Sequence, residues 1–447
     1  KGAFEEIGFR YEGKYFYPDQ FDLKYNRPDI VLERLGYTNI ELIDAYKKAY
    51  QKRLKKLNFT EEALSTSFHL PTVEVTNMAE IPHVLDKKNI TLNLNMKDTE
   101  VELDRYQVWI NEVAIFGSSG ISLKEENTKS KVIDLPLMLG YGDNKIEISV
   151  LNKVGAESYK EVMNLVCTDG KERPDAYIVS IGVSEYKQKD YNLAYAAKDA
   201  MDIENLFVGN DYFGTVSTKT FTDEAVTLEN LANIKMFLAQ AEVDDLVMVF
   251  VAGHGVLDEN FDYYFASHDI DFQHPAERGI PYEKIEELLD GIKALKKLLI
   301  LDTCHSGELD KEDVEERENK EDEDPGNWDF RGVGIDVAYK EDPLGFSNTN
   351  TLMKSLFTDL RRGTGATVIS SSGGAELALE SGKYQNGLFT YCLIDALNNS
   401  KADLNKDKSI TISELQEYVT EEVKRLSNGL QVPTSRIQNK ELDYRLW

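Results

Sequence analysis

The stretch LVMVFVAGHG, residues 246–255, is the part of the sequence that best indicates the fold. Its first seven residues are all apolar, which is typical of a strand buried on both faces of a parallel sheet. Similar apolar runs occur at 177–183, 298–301 and 367–370, and helical stretches separate them. The pattern predicts an α/β fold in which helices cover both faces of a mostly parallel central sheet.

Two of these strands are followed by residues suited to nucleophilic catalysis. The first is followed by Gly253-His254-Gly255, and the strand at 298–301 is followed by DTCHSG, residues 302–307. Ligands of open parallel sheets bind just beyond the carboxyl ends of the strands, where both loops would meet if the strands are neighbours. An imidazole next to a thiol promotes formation of the reactive thiolate. Cys304 is therefore the candidate nucleophile and His254 its proton-transfer partner.

Other interpretations of this pair stay open. A buried Cys304 and a hydrogen-bonded His254 in a loop would be purely structural. His305 is a second candidate base, although in an extended segment it would point to the side opposite Cys304. Glycine lets main-chain N–H groups approach a developing oxyanion closely, so Gly255 is predicted to supply one of them.

The composition argues against several classes of protein. The 447 residues include 79 acidic and 51 basic side chains, and the net charge of −28 opposes binding to nucleic acid or anionic lipid. The three cysteines lie far apart, unlike those of a disulfide framework or a zinc motif. No apolar run reaches the roughly 18 residues of a membrane span, so we expect a soluble, cytoplasmic protein. The chain does not begin with methionine, and we expect it to be a fragment.

The regions before residue 175 follow other patterns. Residues 72–170 alternate polar and apolar side chains, as in residues 90–96, and predict an antiparallel, immunoglobulin-like β-sandwich. Residues 28–71 have a helical period and predict a helical linker. Residues 1–27 are rich in aromatic residues and glycine, and we interpret them as the end of an upstream β module.

Residues 175–425 resemble the caspase-like peptidase domain (peptidase C14, clan CD). The resemblance rests on AGHG, residues 252–255, and DTCHSG, which are similar to the motifs of metacaspases and their bacterial relatives. His254 and Cys304 are 50 residues apart, which matches the spacing in caspases. The resemblance implies a cysteine endopeptidase on a caspase-like three-layer sandwich.

The segments YPDQF, residues 17–21, and NRPDIV, residues 26–31, are similar to the junction in bacterial proteins that join a WD40 propeller to such a peptidase. This similarity implies a protease regulated by an upstream sensor domain or by a regulatory protein. Its role would be that of an effector in antiviral defence or programmed cell death. Residues 426–447 would form a C-terminal extension that packs on the peptidase domain.

The resemblance also bears on the substrate. True caspases, which cleave after aspartate, carry Gln-Ala before the nucleophile, whereas this chain carries Asp302-Thr303. In metacaspases acidic residues select Arg or Lys, and the matching positions are Asp302 and Asp199. Ser371 and Glu380 lie in a segment that resembles the family's substrate-binding loop. An Asp-selective protease and an inactive scaffold remain alternatives, with Asp302 in a strand-end turn and Asp199 as a helix cap.

An acidic stretch follows the cysteine motif. Residues 308–324 contain 11 acidic and 3 basic residues in 17 positions, a composition typical of a solvated, disordered segment. The stretch also coincides with the processing loop of the caspase family. A protease selective for basic residues would cut itself in this stretch or shortly after it, and the candidate sites are Lys311, Arg317, Lys320, Arg331 and Lys340.

A second acidic segment suggests calcium. Oxygen ligands stand at positions 1, 3, 5, 7, 9 and 12 of an EF-hand-like loop, namely Asp403, Asn405, Asp407, Ser409, Thr411 and Glu414. Lys408 occupies position 6, which is normally glycine. A turn followed by a helix cap is the other interpretation. Resemblance to metacaspases adds Asp269 as a candidate calcium ligand. The chemistry itself requires no cofactor, so calcium would be regulatory.

Overall fold

The computed structural model describes residues 8–38, 40–64, 68–170, 173–258, 262–303, 329–330, 363–372, 378–436 and 443–447. The chain divides into two compact units, Lys1–Glu172 with Arg362–Thr364, and Arg173–Arg361 with Gly365–Trp447. Within the described ranges, no helix is both long and apolar enough to cross a membrane.

The first unit begins with short strands and helices. These are β1 (Phe9–Tyr11), β2 (Lys14–Phe16), α1 (Asp22–Tyr25), α2 (Pro28–Arg34) and α3 (Ile40–Lys56). Proline suits the first position of α2 because its ring presets φ and it has no N–H that would be left without an intrahelical acceptor. Tyr50 and Leu54 of α3 are buried together with Leu23 and Leu57, so the helical period of this region reflects a buried face.

Two sheets form the rest of the first unit. Their strands are β3 (Thr72–Val75), β4 (Val84–Leu85), β5 (Asn89–Lys97), β6 (Leu103–Ile110), β7 (Val113–Ala114), β8 (Ile121–Ser122), β9 (Ser130–Met138), β10 (Gly142–Asn152) and β11 (Glu161–Cys167). One sheet has the order β3-β5-β9, and the other has the order β4-β11-β10-β6-β7 with β8 beside β6. All pairs are antiparallel except β4 with β11, so the predicted antiparallel sheets are present. Alternate residues of β5, Ile90 to Met96, are buried, as the period-two pattern predicts.

The second unit alternates strands and helices. In chain order its elements are β12 (Ala176–Gly182), α4 (Ala196–Phe207), β13 (Val216–Thr222), α5 (Leu228–Leu238), β14 (Leu246–Gly253), β15 (Gly255–Leu257), β16 (Tyr263–Phe265), β17 (Ile280–Pro281), α6 (Tyr282–Glu286), β18 (Lys296–Thr303), β19 (Asp329–Phe330), β20 (Thr367–Ser370), β21 (Leu379–Ser381), β22 (Asn386–Gly387), α7 (Leu388–Asn398), α8 (Ile412–Leu426) and β23 (Thr434–Arg436).

The main sheet of this unit has the order β13-β12-β14-β18-β20-β23. Its first five strands are parallel, and β23 pairs with β20 in the antiparallel direction. The predicted α/β fold with a mostly parallel sheet is confirmed. Every residue of β14 is buried, which explains why its sequence is a continuous apolar run.

The register of β14 and β18 brings the ends of the two strands level. Ala252 pairs with Asp302, and Gly253 pairs with Thr303. These strands are neighbours in the centre of the sheet, so the segments that follow them begin at the same edge. This edge is the carboxyl end of the sheet, where the sequence predicts the chemistry.

Candidate active site

His254 follows β14 directly and is almost completely buried, with 2% of its surface exposed. Its Nε2 lies 2.8 Å from the main-chain carbonyl oxygen of Tyr191. A carbonyl only accepts hydrogen bonds, so Nε2 is the nitrogen that carries the proton. In the neutral ring, Nδ1 is then the basic nitrogen, and the imidazole is prepared to accept a proton there.

Aromatic rings surround this imidazole. The ring of Tyr186 lies 5.2 Å from it between centroids, and the ring of Phe272 lies 5.8 Å away in an edge-on orientation. Phe272 also stacks on Tyr191 at 4.0 Å. The histidine is therefore held in an apolar environment, and the residue that accepts its Nε2–H packs against the same cluster.

Thr303, the last residue of β18, is fixed from two directions. The hydroxyl of Tyr263 donates to Thr303 Oγ1 at 2.9 Å. The hydroxyls of Ser371 and Ser372, which follow β20, donate to the Thr303 carbonyl at 3.3 Å and 3.4 Å. Cys304 itself lies outside the described residues, and the strand that leads to it ends in a residue that accepts three side-chain hydrogen bonds.

Gly255, the predicted source of an oxyanion N–H, is the first residue of β15 and pairs with Phe265. The main-chain N–H of Ala266 donates to the carbonyl of His254 at 2.9 Å. The backbone on both sides of the imidazole is thus tied to β16 and the residue after it.

Asp302 is completely buried next to this edge, and its Oδ2 accepts a hydrogen bond from the hydroxyl of Thr390 at 2.6 Å. Thr390 lies in the first turn of α7. A carboxylate near a helix N-terminus is stabilised by the helix dipole and by a short hydrogen bond. This position explains how a buried acidic side chain is accommodated here.

Asp199 is also completely buried and reaches the same helix end. It accepts hydrogen bonds from the side chain of Asn386 at 2.8 Å and from the main-chain N–H of Gly387 at 3.1 Å. Gly387 is the N-cap residue of α7, three positions before Thr390. Asp199 and Asp302 therefore converge on one helical turn, although 103 residues separate them in sequence.

Glu380 is the third acidic residue in this region. It lies on β21, opposite Gly387 of β22, and its Oε1 accepts a hydrogen bond from the main-chain N–H of Ala194 at 2.8 Å. The three carboxylates that the sequence singled out are brought together at the start of α7.

Ser371 has a different setting from these acids. It is completely buried, its hydroxyl is donated to Thr303, and its carbonyl accepts a hydrogen bond from the side chain of Gln431 at 2.9 Å. These bonds support the end of β18.

Sequence reasoning missed several residues of the site. Tyr191, Thr390 and Asn386 provide the acceptor or donor for His254, Asp302 and Asp199 respectively. Tyr191 acts through its main-chain carbonyl, which every residue has, so no sequence signal marks it. The pair Asn386-Gly387 before an apolar helical segment is a helix-start signal that would have directed attention to this turn.

The other cysteines within the described ranges are poor nucleophiles. Cys167 and Cys392 are both completely buried. Burial raises the pKa of the Cys392 thiol well above its usual value, and nearby Glu422 and Asp395 act in the same direction. A thiol in that environment stays protonated, which leaves Cys304 as the candidate.

A sequence model of the caspase domain, peptidase family C14, matches residues 176–442. The chain belongs to the caspase-domain family. This membership supports a cysteine-protease type of function, and the segments that carry His254 and Cys304 lie within the matched residues. The match includes β23, so it reaches into the segment after residue 425.

Solved structures give weaker similarities. A protein from Geobacter sulfurreducens matches with 17% identity and a TM-score of 0.41, over 59% of this chain and 93% of that chain. Caspase-1 from Spodoptera frugiperda matches with 12% identity and a TM-score of 0.36, over 60% of this chain and 89% of that chain. No curated protein sequence matches the chain.

The predicted calcium ligands of the caspase domain lie in two separate places. Asp269 is near Lys187 and Arg278, at 3.7 Å and 3.8 Å, in a loop that bonds to the segment carrying Tyr191. The acidic loop is bonded to the C-terminal residues instead, since Ile412 N–H donates to the Tyr444 carbonyl. Among the described side chains, no group of three or more His, Cys, Asp or Glu is placed to hold a metal ion.

The acidic loop itself is closed by its own hydrogen bonds. Asp403 and Asn405 accept from the N–H of Asp407, and Asp407 accepts from Ser409. Glu414 and Thr411 form a capping box at the start of α8. This geometry agrees with the interpretation as a turn followed by a helix cap.

The predicted self-cleavage sites and the second candidate base, His305, lie outside the described residues. The cleavage sites are Lys311, Arg317, Lys320, Arg331 and Lys340.

Proposed function

We propose that this protein is a cysteine endopeptidase that cleaves protein substrates after Arg or Lys, with Cys304 as nucleophile and His254 as proton-transfer partner. The observation that carries the proposal is the buried His254, whose Nε2 is engaged by the Tyr191 carbonyl at 2.8 Å. This bond makes Nδ1 the basic nitrogen of the neutral ring, and the strands that lead to His254 and Cys304 end level with each other.

The reaction would proceed through a thioester. Nδ1 of His254 accepts the thiol proton of Cys304, and the thiolate adds to the carbonyl carbon of the substrate. The main-chain N–H of Gly255 donates to the oxyanion. The imidazolium then gives its proton to the leaving amine as the C–N bond breaks. A water molecule attacks the thioester and passes a proton to Nδ1. The C–S bond then breaks to release the carboxylic acid, and the leaving thiolate takes the proton back from the imidazolium, which restores the thiol and the neutral imidazole.

Preference for a basic residue before the scissile bond is inferred from the three buried carboxylates at the start of α7. Asp302, Asp199 and Glu380 concentrate negative charge at the carboxyl end of the sheet. A guanidinium or ammonium group would pair with such a carboxylate, whereas an acidic side chain would be repelled.

Regulation is part of the same proposal. We infer that attached domains or a regulatory protein control the enzyme, that it works in the cytoplasm, and that it processes itself in the acidic stretch. Calcium, if it binds at Asp403, Asn405, Asp407, Ser409 and Glu414 or at Asp269, would regulate rather than take part in the chemistry.

Fluorogenic peptides test the chemistry directly. Matched peptides ending in Arg, Lys, citrulline or Asp are incubated with the wild type and with Cys304→Ala and His254→Ala variants. We expect cleavage after Arg and Lys, little after citrulline, which keeps the shape of Arg without its charge, and background rates in both variants.

The outcomes separate the parts of the proposal. Absence of Cys304-dependent cleavage of every peptide would favour an inactive scaffold. Equal cleavage after Arg and citrulline, or preferred cleavage after Asp, would reject the carboxylates as the determinants of specificity and leave the cysteine chemistry intact.

A further inference from the structure

The regular main-chain hydrogen bonding between β12 and β14 is interrupted at His254. The main-chain N–H of Val183 donates to the Ala252 carbonyl at 3.0 Å, as expected for parallel strands. In the same pattern the next bond would run from the N–H of His254 to the carbonyl of Val183. A tyrosine hydroxyl occupies this position instead.

The hydroxyl belongs to Tyr186. The main-chain N–H of His254 donates to Tyr186 Oη at 3.2 Å, and the Tyr186 O–H donates to the Val183 carbonyl at 3.2 Å. One side-chain oxygen therefore lies between the ends of two adjacent strands and satisfies both main-chain groups. Because the oxygen takes up space, it holds the backbone of His254 farther from β12 than a direct bond would.

The backbone beside the inserted hydroxyl fits glycine alone. Gly253 has a φ of +150°, which residues with a side chain rarely adopt. A Cβ atom there would lie 3.2 Å from Tyr186 Oη and 3.0 Å from Phe265 Cε2. The turn of the chain into His254 and the position of the tyrosine hydroxyl thus depend on each other.

The ring of Tyr186 also contacts the imidazole. It is tilted by 40° against His254, and Phe272 meets it edge-on at 5.4 Å. The main-chain N–H of Tyr186 donates to the side chain of Asn192 at 2.8 Å, so the residue is anchored at its own backbone as well. Only 3% of the surface of Tyr186 is exposed, so its side chain is shielded from solvent.

We propose that Tyr186 is a positioning residue for His254: its hydroxyl sets the main-chain position of the histidine, and its ring limits the orientation of the imidazole. This inference rests on the proposed function, in which Nδ1 of His254 exchanges protons with Cys304. Loss of the hydroxyl would let the end of β14 relax toward β12 and would misalign Nδ1, while the three carboxylates at the start of α7 would keep their positions.

The test compares Tyr186→Phe with a matched control, Tyr444→Phe. Tyr444 is a buried tyrosine whose hydroxyl also donates to a main-chain carbonyl, that of Lys297, at 3.2 Å. Lys297 is the second residue of β18, at the opposite end of the sheet from Thr303. Each variant removes the hydroxyl of a buried tyrosine that donates to a main-chain carbonyl, so a general loss of stability would affect both.

For Tyr186→Phe we expect kcat to fall on the order of tenfold with KM unchanged, because misplacement of a catalytic group slows the chemical step. Tyr444→Phe is expected to keep kcat within about twofold of the wild type. Replacing the ring as well, in Tyr186→Leu, is expected to lower kcat further than Tyr186→Phe. The pH dependence of Cys304 alkylation by iodoacetamide is expected to shift only in the Tyr186 variants.

A second measurement does not depend on activity. Nitrogen NMR of labelled histidine, with the His254 signals assigned from a His254→Gln variant, reports the tautomer of the ring. The wild type is expected to show the Nε2–H tautomer, and Tyr186→Phe a mixture or broadened signals.

Equal kcat values and equal His254 spectra for Tyr186→Phe and the wild type would overturn the inference. A parallel loss of kcat in Tyr444→Phe would also overturn it, because the effect would then be one of stability. An inactive wild type would reject the proposed function, and the NMR comparison would still decide whether Tyr186 orders His254.

Discussion

Strand β18 begins with two lysines and ends with Asp302 and Thr303. The buried charged side chains at the two ends of the strand have different environments. At the amino end, the side chain of Lys297 is 1% exposed, and burial lowers its pKa to about 7. At the carboxyl end, Asp302 accepts a short hydrogen bond from α7. At the amino end, burial lowers the pKa of Lys297, so the lysine loses its proton more readily. At the carboxyl end, Asp302 is stabilised by a hydrogen-bond donor from a distant element.

The difference separates stability from function. At the amino end, hydrogen bonds to main-chain groups join the segments. The carboxylate of Asp245, for example, accepts from the main-chain N–H of Asp175 at 3.0 Å and from that of Glu242 at 2.8 Å. At the carboxyl end, side chains from β16, from the segment after β20 and from α7 bind Thr303 and Asp302. Substitutions at the carboxyl end should therefore alter activity, and those at the amino end should alter stability.

The largest expected effect is that of Asp302→Asn. The variant keeps the shape of the side chain but removes the negative charge, so we expect kcat/KM for a peptide ending in Arg to fall roughly a thousandfold. Cleavage of the citrulline peptide should change little. Steady-state kinetics on both peptides measure the ratio, and an equal loss on both would assign Asp302 to support of β18 rather than to specificity.

At the amino end, Lys297→Met is expected to stabilise the protein by about 2 kcal/mol at neutral pH, because it removes a buried cation. Burial lowers the pKa of Lys297 from 10.5 to about 7, so between these values the unfolded state binds more protons than the folded state. The penalty in the wild type is full below pH 7 and disappears as the pH rises toward 10.5.

Denaturant unfolding across this range measures the effect. The advantage of Lys297→Met should be largest below pH 7 and should shrink steadily at higher pH, with kcat/KM unchanged. A pH-independent difference would mean that the lysine is accommodated by a permanent partner, and a loss of activity would contradict the separation of the two ends.

A smaller effect is expected for Asn386→Ala. This change removes the amide that donates to Asp199 at 2.8 Å and to Asp202 at 2.7 Å. We expect kcat/KM for the Arg peptide to fall about tenfold, because Asp199 loses one of its donors but keeps the N–H of Gly387. The control is Asn399→Ala, at the other end of α7, where the amide donates to Asp395. A similar loss in both variants would point to destabilisation of the helix.

The smallest expected effect is that of Thr411→Ala at the start of α8. Loss of the capping box should lower the free energy of unfolding by about 1 kcal/mol without a change in kcat. Thermal unfolding with excess calcium and with a chelator extends the test to the predicted metal loop. A calcium-dependent increase in Tm that disappears in Asp403→Ala would establish metal binding there.

Much of the site was accessible from the sequence because its residues follow buried strands. His254 and Asp302 stand at the ends of apolar runs, and the parallel sheet brings such ends together. The three acidic residues at the start of α7 were singled out by resemblance. Asn386-Gly387 marks the start of a helix in the sequence, but that the three acids gather there is decided by the tertiary structure.

The sequence by itself determined the mostly parallel sheet, because strands buried on both faces need continuous apolar runs, and it determined which residues follow those strands. Only the tertiary structure decided their partners. The acceptor for His254 Nε2 is 63 residues away, the hydroxyl bound to its N–H is 68 residues away, and the donors to Asp302 and Asp199 are 88 and 187 residues away. The spacing of apolar residues along a strand or helix reveals which of its residues are buried, so burial can be predicted from the local sequence. A hydrogen bond between distant segments depends instead on where the folded chain places the donor and the acceptor.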